Sequence, residues 1–145
     1  MAGVRYHIAV DSIDAITGFQ KLIERAEDLE PVLREIGEHL LLSTDERFDA
    51  AESPDGQPWQ ELSPKYKARK KRNADKILVL DAYLKNIIYQ VEGNTLEFGT
   101  DKIYGATHQL GDDDRNIPAR EFLGVSSDDE IAIVDIVDAY LANPI

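Results

Sequence analysis

The feature that most constrains the fold is a long amphipathic stretch that begins at Pro31 and ends near Ala51. Proline is accepted in the first turn of a helix, so Pro31 marks a helix start, and apolar residues then recur at helical spacing. This apolar stripe comprises Val32, Leu33, Ile36, Leu40, Leu41 and Phe48. The opposite face, which we interpret as solvated surface and not as a catalytic set, carries Arg34, Glu35, Glu38, Asp45, Glu46 and Asp49. The pattern predicts the longest helix of the chain, with one face directed into a core.

The composition predicts one soluble globular domain over residues 1–145, since the chain is 43% apolar and 30% charged. We expect a strand and a helical region in residues 1–52, and a sheet, loops and a C-terminal helix in residues 53–145. The absence of cysteine excludes disulfides and thiolate chemistry and favours cytoplasmic synthesis. No apolar run approaches 18 residues, and the N-terminus lacks a signal-peptide pattern, so we expect neither membrane placement nor secretion.

Four further segments carry strand or helix patterns. Alternating apolar residues over 4–10 predict a short strand, and helical spacing follows from Asp11 to Ala26. A β-branched run over 87–91 and a second run over 95–99 flank Gly93 and Asn94, which predicts a β-hairpin. The predicted fold class is therefore α+β, with a small antiparallel sheet packed against a long N-terminal helical region and a C-terminal helix.

The loops and short elements of the second half have their own signals. Residues 53–56 have turn chemistry with a positive φ at Gly56, Trp59 is expected to pin this loop to the core, and Ser63 is expected to cap a short helix. Residues 77–80 begin a buried segment, residues 103–110 form a short helix, and residues 117–124 are extended. A capping box of Ser127 and Glu130 is expected to start the last helix. That helix is expected to bury Ile131, Val134, Val137, Tyr140 and Leu141.

The inventory of catalytic groups is thin. His7, His39 and His108 lie far apart, and no zinc-protease spacing, phosphate-binding glycine loop or nucleophile elbow is present. Residues 112–116 imitate the start of a calcium loop, but the loop's sixth and twelfth positions carry Ile117 and Leu123 instead of Gly and Glu. We therefore interpret Asp112, Asp113 and Asp114 as an extended, mobile, solvated loop and His108 as a structural residue. The sequence predicts no cofactor or metal, and it does not indicate a hydrolase or a metal enzyme.

The charge distribution is the strongest compositional signal. The chain carries a formal charge of −12, yet residues 63–85 hold eight Lys and Arg against two Asp, a local charge of +6. The basic segment, as we call it, contains Lys65, Lys67, Arg69, Lys70, Lys71 and Arg72. It is a solvated segment, a surface that docks on acidic groups of a neighbouring copy, or a contact for DNA phosphates, and the net charge favours the first two over the third. Arg120 has two options, a partner inside the subunit or one across an interface.

A family resemblance emerges from motifs whose order and spacing are specific. Its elements are Phe48, the Pro54-Asp55-Gly56-x-Pro58-Trp59 loop, Ile77 and Leu78 with Leu84, Tyr104 with His108-Gln109-x-Gly111, and Ile117-Pro118-Ala119-Arg120-x-Phe122-Leu123-Gly124. From about Arg47 to Leu141 the chain resembles the phage virion morphogenesis family, in its Mu-type tail completion members. Trp59, Phe122 and Leu123 are most simply core anchors, although such residues also serve interfaces.

The resemblance implies a non-enzymatic assembly protein of a phage or prophage. It would be made in the host cytoplasm, complete the tail or join it to the head, contact other tail or neck proteins, and often form a ring. A ring needs two different complementary patches on each subunit. The candidates are the basic segment against either Asp112–Asp114 or the acidic start of the last helix. Reversing Lys70, Lys71 and Arg72 to Glu without changing the oligomer would contradict that pairing. A nucleic-acid-binding module that uses residues 65–72 is the alternative function.

Overall fold

The computed structural model describes residues 5–7, 17, 20, 28–78 and 86–142. Residues 17 and 20 are both helical, and the remainder of the helix expected over 11–26 lies outside the described residues. The same holds for the ends of the predicted first strand and for residues 79–80 of the expected buried segment. The described elements are β1 (Arg5–His7), α1 (Glu30–Ala50), α2 (Pro64–Arg69), β2 (Ile88–Glu92), β3 (Thr95–Gly99), α3 (Gly105–Leu110), a 3-10 helix (Asp113–Arg115) and α4 (Ser127–Ala142).

The sheet has three antiparallel strands in the order β1-β3-β2. Strand β3 is central, and its Phe98 lies opposite Tyr6 on one side and Tyr89 on the other. The hairpin between β2 and β3 turns at Gly93, whose φ of +60° lies in the region that favours glycine. The predicted α+β class and the predicted hairpin are both confirmed.

Helix α1 supplies the largest part of the core and confirms the prediction made from its apolar stripe. The helix starts at Glu30 with Pro31 in its first turn and ends at Ala51 in the left-handed conformation. It packs against α4, β2 and β3. All six charged residues predicted to face solvent are exposed. Gly37 lets α1 approach the sheet, since a Cβ there would lie 2.7 Å from the Tyr89 ring.

The predicted start of α4 is wrong by one residue. The capping box is formed by Ser126 and Asp129: the Asp129 amide donates to Ser126 Oγ at 3.0 Å, and the Ser126 amide donates to Asp129 Oδ2 at 2.9 Å. Ser126 and Ser127 are each followed three residues later by an acid, so local chemistry allows both boxes. The buried partners of Asp129 on α1, described below, favour the first.

The buried face of α4 also differs from the one that the sequence predicts. Ile131, predicted to be buried, is 62% exposed, and Val134 and Leu141 are only partly buried. Val137 and Tyr140 are buried as predicted. They are joined by Asp129 and Ile133, so the face toward α1 includes a carboxylate that an apolar-spacing rule does not select.

The acidic tract is also not an extended loop. Asp112 caps the 3-10 helix by accepting from the Arg115 amide at 3.2 Å, and it pairs through its backbone with Ile117. The Arg115 side chain donates to Asp112 Oδ2 at 2.6 Å. A cation and a cap therefore offset the repulsion among the three acids that the sequence interpretation emphasised.

Candidate functional site

The segment 117–124, which the sequence predicts to be extended, is the centre of the motif-bearing region. It forms neither helix nor strand, yet Phe122, Leu123 and Gly124 are buried. Buried backbone amides and carbonyls need hydrogen-bond partners. Because no strand of the described residues is hydrogen-bonded along the segment, side chains from elsewhere supply several of those partners.

Gln109 supplies three of these hydrogen bonds. Its Oε1 accepts from the amides of Phe122 at 3.1 Å and Leu123 at 3.0 Å, while its Nε2 donates to the Leu123 carbonyl at 3.0 Å. One buried carboxamide thus does what an adjacent strand would do for this stretch. Helix α3, which carries Gln109, is fixed to the segment through it.

Trp59 fixes the loop that precedes the basic segment to the same stretch, as the sequence predicts. Its Nε1 donates to the Glu121 carbonyl at 2.8 Å, and its ring meets Phe48 edge to face at 5.4 Å between centroids. Phe48 in turn packs against Phe122 at 5.6 Å. These residues are anchors of the core, which was the simpler of the two interpretations.

The Pro54-Asp55-Gly56 turn forms ahead of Trp59 as expected. Gly56 has a φ of +83°. The Asp55 carboxylate accepts from the Ser53 hydroxyl and the Gln57 amide, and the first of these hydrogen bonds is the main reason that the pKa of Asp55 lies below its ordinary value. The turn remains at the surface.

Arg120 has its partners inside the subunit. Its guanidinium donates to the carbonyls of Gln60 at 2.8 Å and Glu61 at 3.2 Å, and its amide donates to the His108 carbonyl at 2.7 Å. The residue is 6% exposed, and burial lowers its pKa. Of the two options left open by the sequence, the structure shows the internal one, with carbonyls in place of a carboxylate.

His108 lies between these elements without a catalytic partner among the described residues. Burial, followed by the positive charges of Arg120 and Arg115, lowers its pKa and favours the neutral ring. Its ring meets Tyr104 edge to face at 6.3 Å, and its Nδ1 is buried without a hydrogen-bond partner. Within the described ranges, no group of three or more His, Asp or Glu side chains could hold a metal ion.

Gly111 and Pro118 shape the junction between α3 and the extended segment. Gly111 has a φ of +78°, and a Cβ there would lie 2.8 Å from the Ala119 amide nitrogen. Any other residue would therefore push the segment away from α3. Pro118 is half-buried and keeps this stretch outside the sheet.

A buried ionic network behind the segment was missed by the sequence interpretation. Asp129 contacts His39 Nε2 at 2.8 Å and Arg47 at 3.3 Å, and Arg47 also donates to the Phe122 carbonyl at 2.8 Å. Burial opposes the charged form of Asp129, but hydrogen bonds from Ser43, Ser126 and His39 outweigh it and lower its pKa. The available signal was that position 47 falls on the apolar face of α1, seven residues after Leu40.

The buried residues Trp59, Gln109, Arg120, Arg47 and Asp129 form a framework around the segment, and the charged surfaces lie outside it. Lys65, Lys67, Arg69, Lys71 and Arg72 are exposed, whereas Lys70 is half-buried and donates to the Lys76 carbonyl. Ser63 caps α2 as predicted, accepting from the Tyr66 amide at 3.2 Å. Asp113 and Asp114 are exposed, and Asp112 is partly buried by its pairing with Arg115.

An acid-lined groove of about 410 Å³ occupies the start of α4. Its charged lining residues are Asp55, Glu121 and Glu130, and no basic side chain lines it. Leu123 and Ser126 contribute to its walls. The groove includes residues at the acidic start of the last helix, which the sequence analysis names as a second candidate acceptor.

The comparisons with known proteins agree with the motif analysis. The model of the phage virion morphogenesis family matches residues 11–142, so the match includes the helical region ahead of Arg47. Searches of curated proteins and of solved structures gave no match. Across the described residues, none of the helices has the length and apolar character needed to cross a membrane. The chain belongs to the phage virion morphogenesis family, and its role is that of a phage structural or assembly protein.

Proposed function

We propose that this protein completes the phage tail or joins it to the head, and that it does so without catalysing a reaction. Membership of the virion morphogenesis family supports an assembly role. The observation that carries the finer proposal is how the motif residues are used. Gln109, Trp59 and Arg120 all donate to backbone carbonyls of the subunit, so their polar groups hold a loop in place.

The surface chemistry supports joining by contact between subunits. The basic segment has six cationic residues in a chain whose formal charge is −12, and five of the six are exposed. A positively charged segment on an otherwise acidic protein favours heterologous, head-to-tail contacts. Such contacts close into rings or join different proteins. We propose other tail or neck proteins, and further copies of this chain, as its partners in the virion.

Loss of the gene in the phage or inducible prophage that encodes it tests this function. We expect filled heads and separate tails in electron micrographs of the lysate, and restoration of joined, infectious particles by a plasmid copy. Joined particles in the absence of the gene would contradict the proposal, and so would a block before head filling.

DNA contact is the alternative use of the exposed cations of the basic segment. A short duplex added at low salt distinguishes the two, because binding to phosphates weakens steeply as salt rises. We expect no salt-dependent binding to the duplex. Binding that disappears when Lys65 and Lys67 are changed to Glu would favour the nucleic-acid module.

A further inference from the structure

We propose that α3, the two residues before it and the acidic turn after it (residues 112–114) form the acceptor surface for the α2 helix of a second copy of this chain. The acceptor surface consists of Ile103, Tyr104, Leu110, Asp113 and Asp114. This inference rests on the proposed assembly function and names the two surfaces that would pair.

The apolar part of the acceptor surface stands out in the described chain. Among the described residues, six large hydrophobic side chains are exposed, and three of them fall within residues 103–110. Ile103 is 86% exposed, Leu110 is 76% exposed and Tyr104 is 44% exposed. Large aliphatic and aromatic groups concentrated in one short stretch of the chain are typical of interface centres.

The acidic part is held rigidly beside the apolar part. Asp112 follows α3 after the single residue Gly111, and Arg115 bridges Asp112 at 2.6 Å and Thr107 of α3 at 3.2 Å. The remaining acids, Asp113 and Asp114, are exposed. The acceptor surface therefore presents an apolar centre with a negative rim that is fixed to it.

Helix α2 has the complementary character. Pro64 and Ala68 are exposed and lie four residues apart, on one face of the helix. Exposed Lys65, Lys67 and Arg69 flank that face. Their aliphatic stems can cover apolar surface while their charged ends reach carboxylates, which fits an apolar centre with an acidic rim.

The groove at the start of α4 is the weaker acceptor. Its acidic lining is complementary to the cations of α2, but none of the six exposed large hydrophobic residues lines the groove. A groove of that kind supplies electrostatic attraction without the buried apolar centre that stabilises a lasting contact.

Mixing two surface-defective variants tests the pairing directly. One variant carries Lys65→Glu and Lys67→Glu, and the other carries Ile103→Ser and Leu110→Ser. All four positions are exposed, so each variant is expected to fold, which circular dichroism checks. Each head-to-tail contact needs one intact copy of each surface, so the mixture should form one contact and no more.

Light scattering gives the readout. We expect wild-type mass above that of one chain and rising with concentration, and each variant alone at one chain, 16.3 kDa. The equimolar mixture should reach twice that mass and stop. A matched control with Leu42→Ser and Ile131→Ser, at positions 60% and 62% exposed, should associate like the wild type.

Four results would overturn the inference: a wild type that stays at one-chain mass at every concentration, a mixture that stays there, a control that loses association, or an acceptor variant that associates normally. In the last case, loss of association in Glu121→Gln with Glu130→Gln would assign the acceptor to the groove. If one of these four results is obtained while gene loss still leaves heads and tails unjoined, the tail completion function stands and only this pairing is contradicted.

Discussion

Two regions of the molecule use charged and polar side chains in opposite ways. Behind the extended segment, Arg47, Arg120 and Asp129 are buried, and each has hydrogen-bond partners within the subunit. On α2 and the acidic turn, charged side chains project into solvent. Buried charges are costly unless paired, whereas exposed charges cost little and remain available to a partner.

The difference separates what maintains the fold from what can recognise another protein. The motifs that reveal the family, His108-Gln109-x-Gly111 and the 117–124 stretch, lie in the buried framework, and Gln109 and Gly111 act through backbone contacts. The surfaces proposed to assemble contain few motif residues. Family membership can therefore be read from the framework, while our proposal assigns partner choice to α2 and to the exposed residues around α3.

The largest expected effect comes from breaking the buried network. Arg47→Met leaves Asp129 and the Phe122 carbonyl without the guanidinium and should lower the free energy of unfolding by about 3–5 kcal/mol. Chemical denaturation followed by fluorescence of Trp59, the sole tryptophan, measures it. Arg34→Met on the same helix is the control: Arg34 is exposed and pairs with Glu30 at the surface, so a much smaller loss is expected. Equal losses would contradict the separation of the two regions.

Gln109→Leu should have the next largest effect. It removes three hydrogen bonds and leaves the Phe122 and Leu123 amides and the Leu123 carbonyl unpaired, for a loss of about 2–3 kcal/mol in unfolding free energy. Denaturant titration measures the change. Gln90→Leu, at an exposed position on β2, should change stability by less than about 0.5 kcal/mol. A negligible effect of Gln109→Leu would mean that the segment does not depend on this amide.

Trp59→Phe tests how much the indole Nε1 hydrogen bond contributes to the stability of the same framework. The ring contacts with Phe48 are largely kept while the Nε1 hydrogen bond to the Glu121 carbonyl is lost, so we expect about 1–2 kcal/mol. Thermal unfolding by circular dichroism measures it. Trp59→Leu, which also removes the aromatic contacts, should destabilise further. A Phe variant as stable as the wild type would show that packing alone fixes the loop.

The smallest expected effect is a pH dependence from His108. Its pKa is lower in the folded protein than the ordinary value of 6.5, so the unfolded chain binds a proton first as the pH falls. Stability should therefore decline as the pH drops below about 6.5, until the folded-state pKa is passed. His108→Gln should reduce this part of the decline between pH 7 and pH 5, measured by denaturant titration at each pH. An unchanged pH profile would contradict a protonation-linked role of the ring.

Sequence reasoning succeeded where one local rule determines the outcome. The apolar stripe of α1, the Gly93 turn, the Ser63 cap and the anchoring of Trp59 follow from periodicity, backbone conformation and side-chain type. It failed where two local solutions are equally good. Ser126 with Asp129 and Ser127 with Glu130 both make a capping box, and the choice depends on Arg47 and His39, some 80 to 90 residues away.

The candidate site was predicted unevenly for the same reason. The family match agrees with the resemblance that was drawn from the motif residues, and the exposure of five basic-segment cations agrees with their assignment to a surface. Arg120 and Arg47 show what a linear pattern misses, because an arginine with buried backbone carbonyls as partners looks like any surface arginine. The apolar acceptor surface around α3 depends on which face of a short helix remains uncovered, which spacing alone does not determine.

Hydrogen exchange of the wild-type protein over a dilution series tests whether the buried framework and the assembling surfaces are separate regions. We predict slow exchange of the Phe122 and Leu123 amides at every concentration, because their partner Gln109 lies in the same subunit. We also predict that residues 63–69 and 103–115 become more protected as concentration rises. Rapid exchange of the Phe122 and Leu123 amides, or concentration-dependent protection confined to other segments, would contradict this separation.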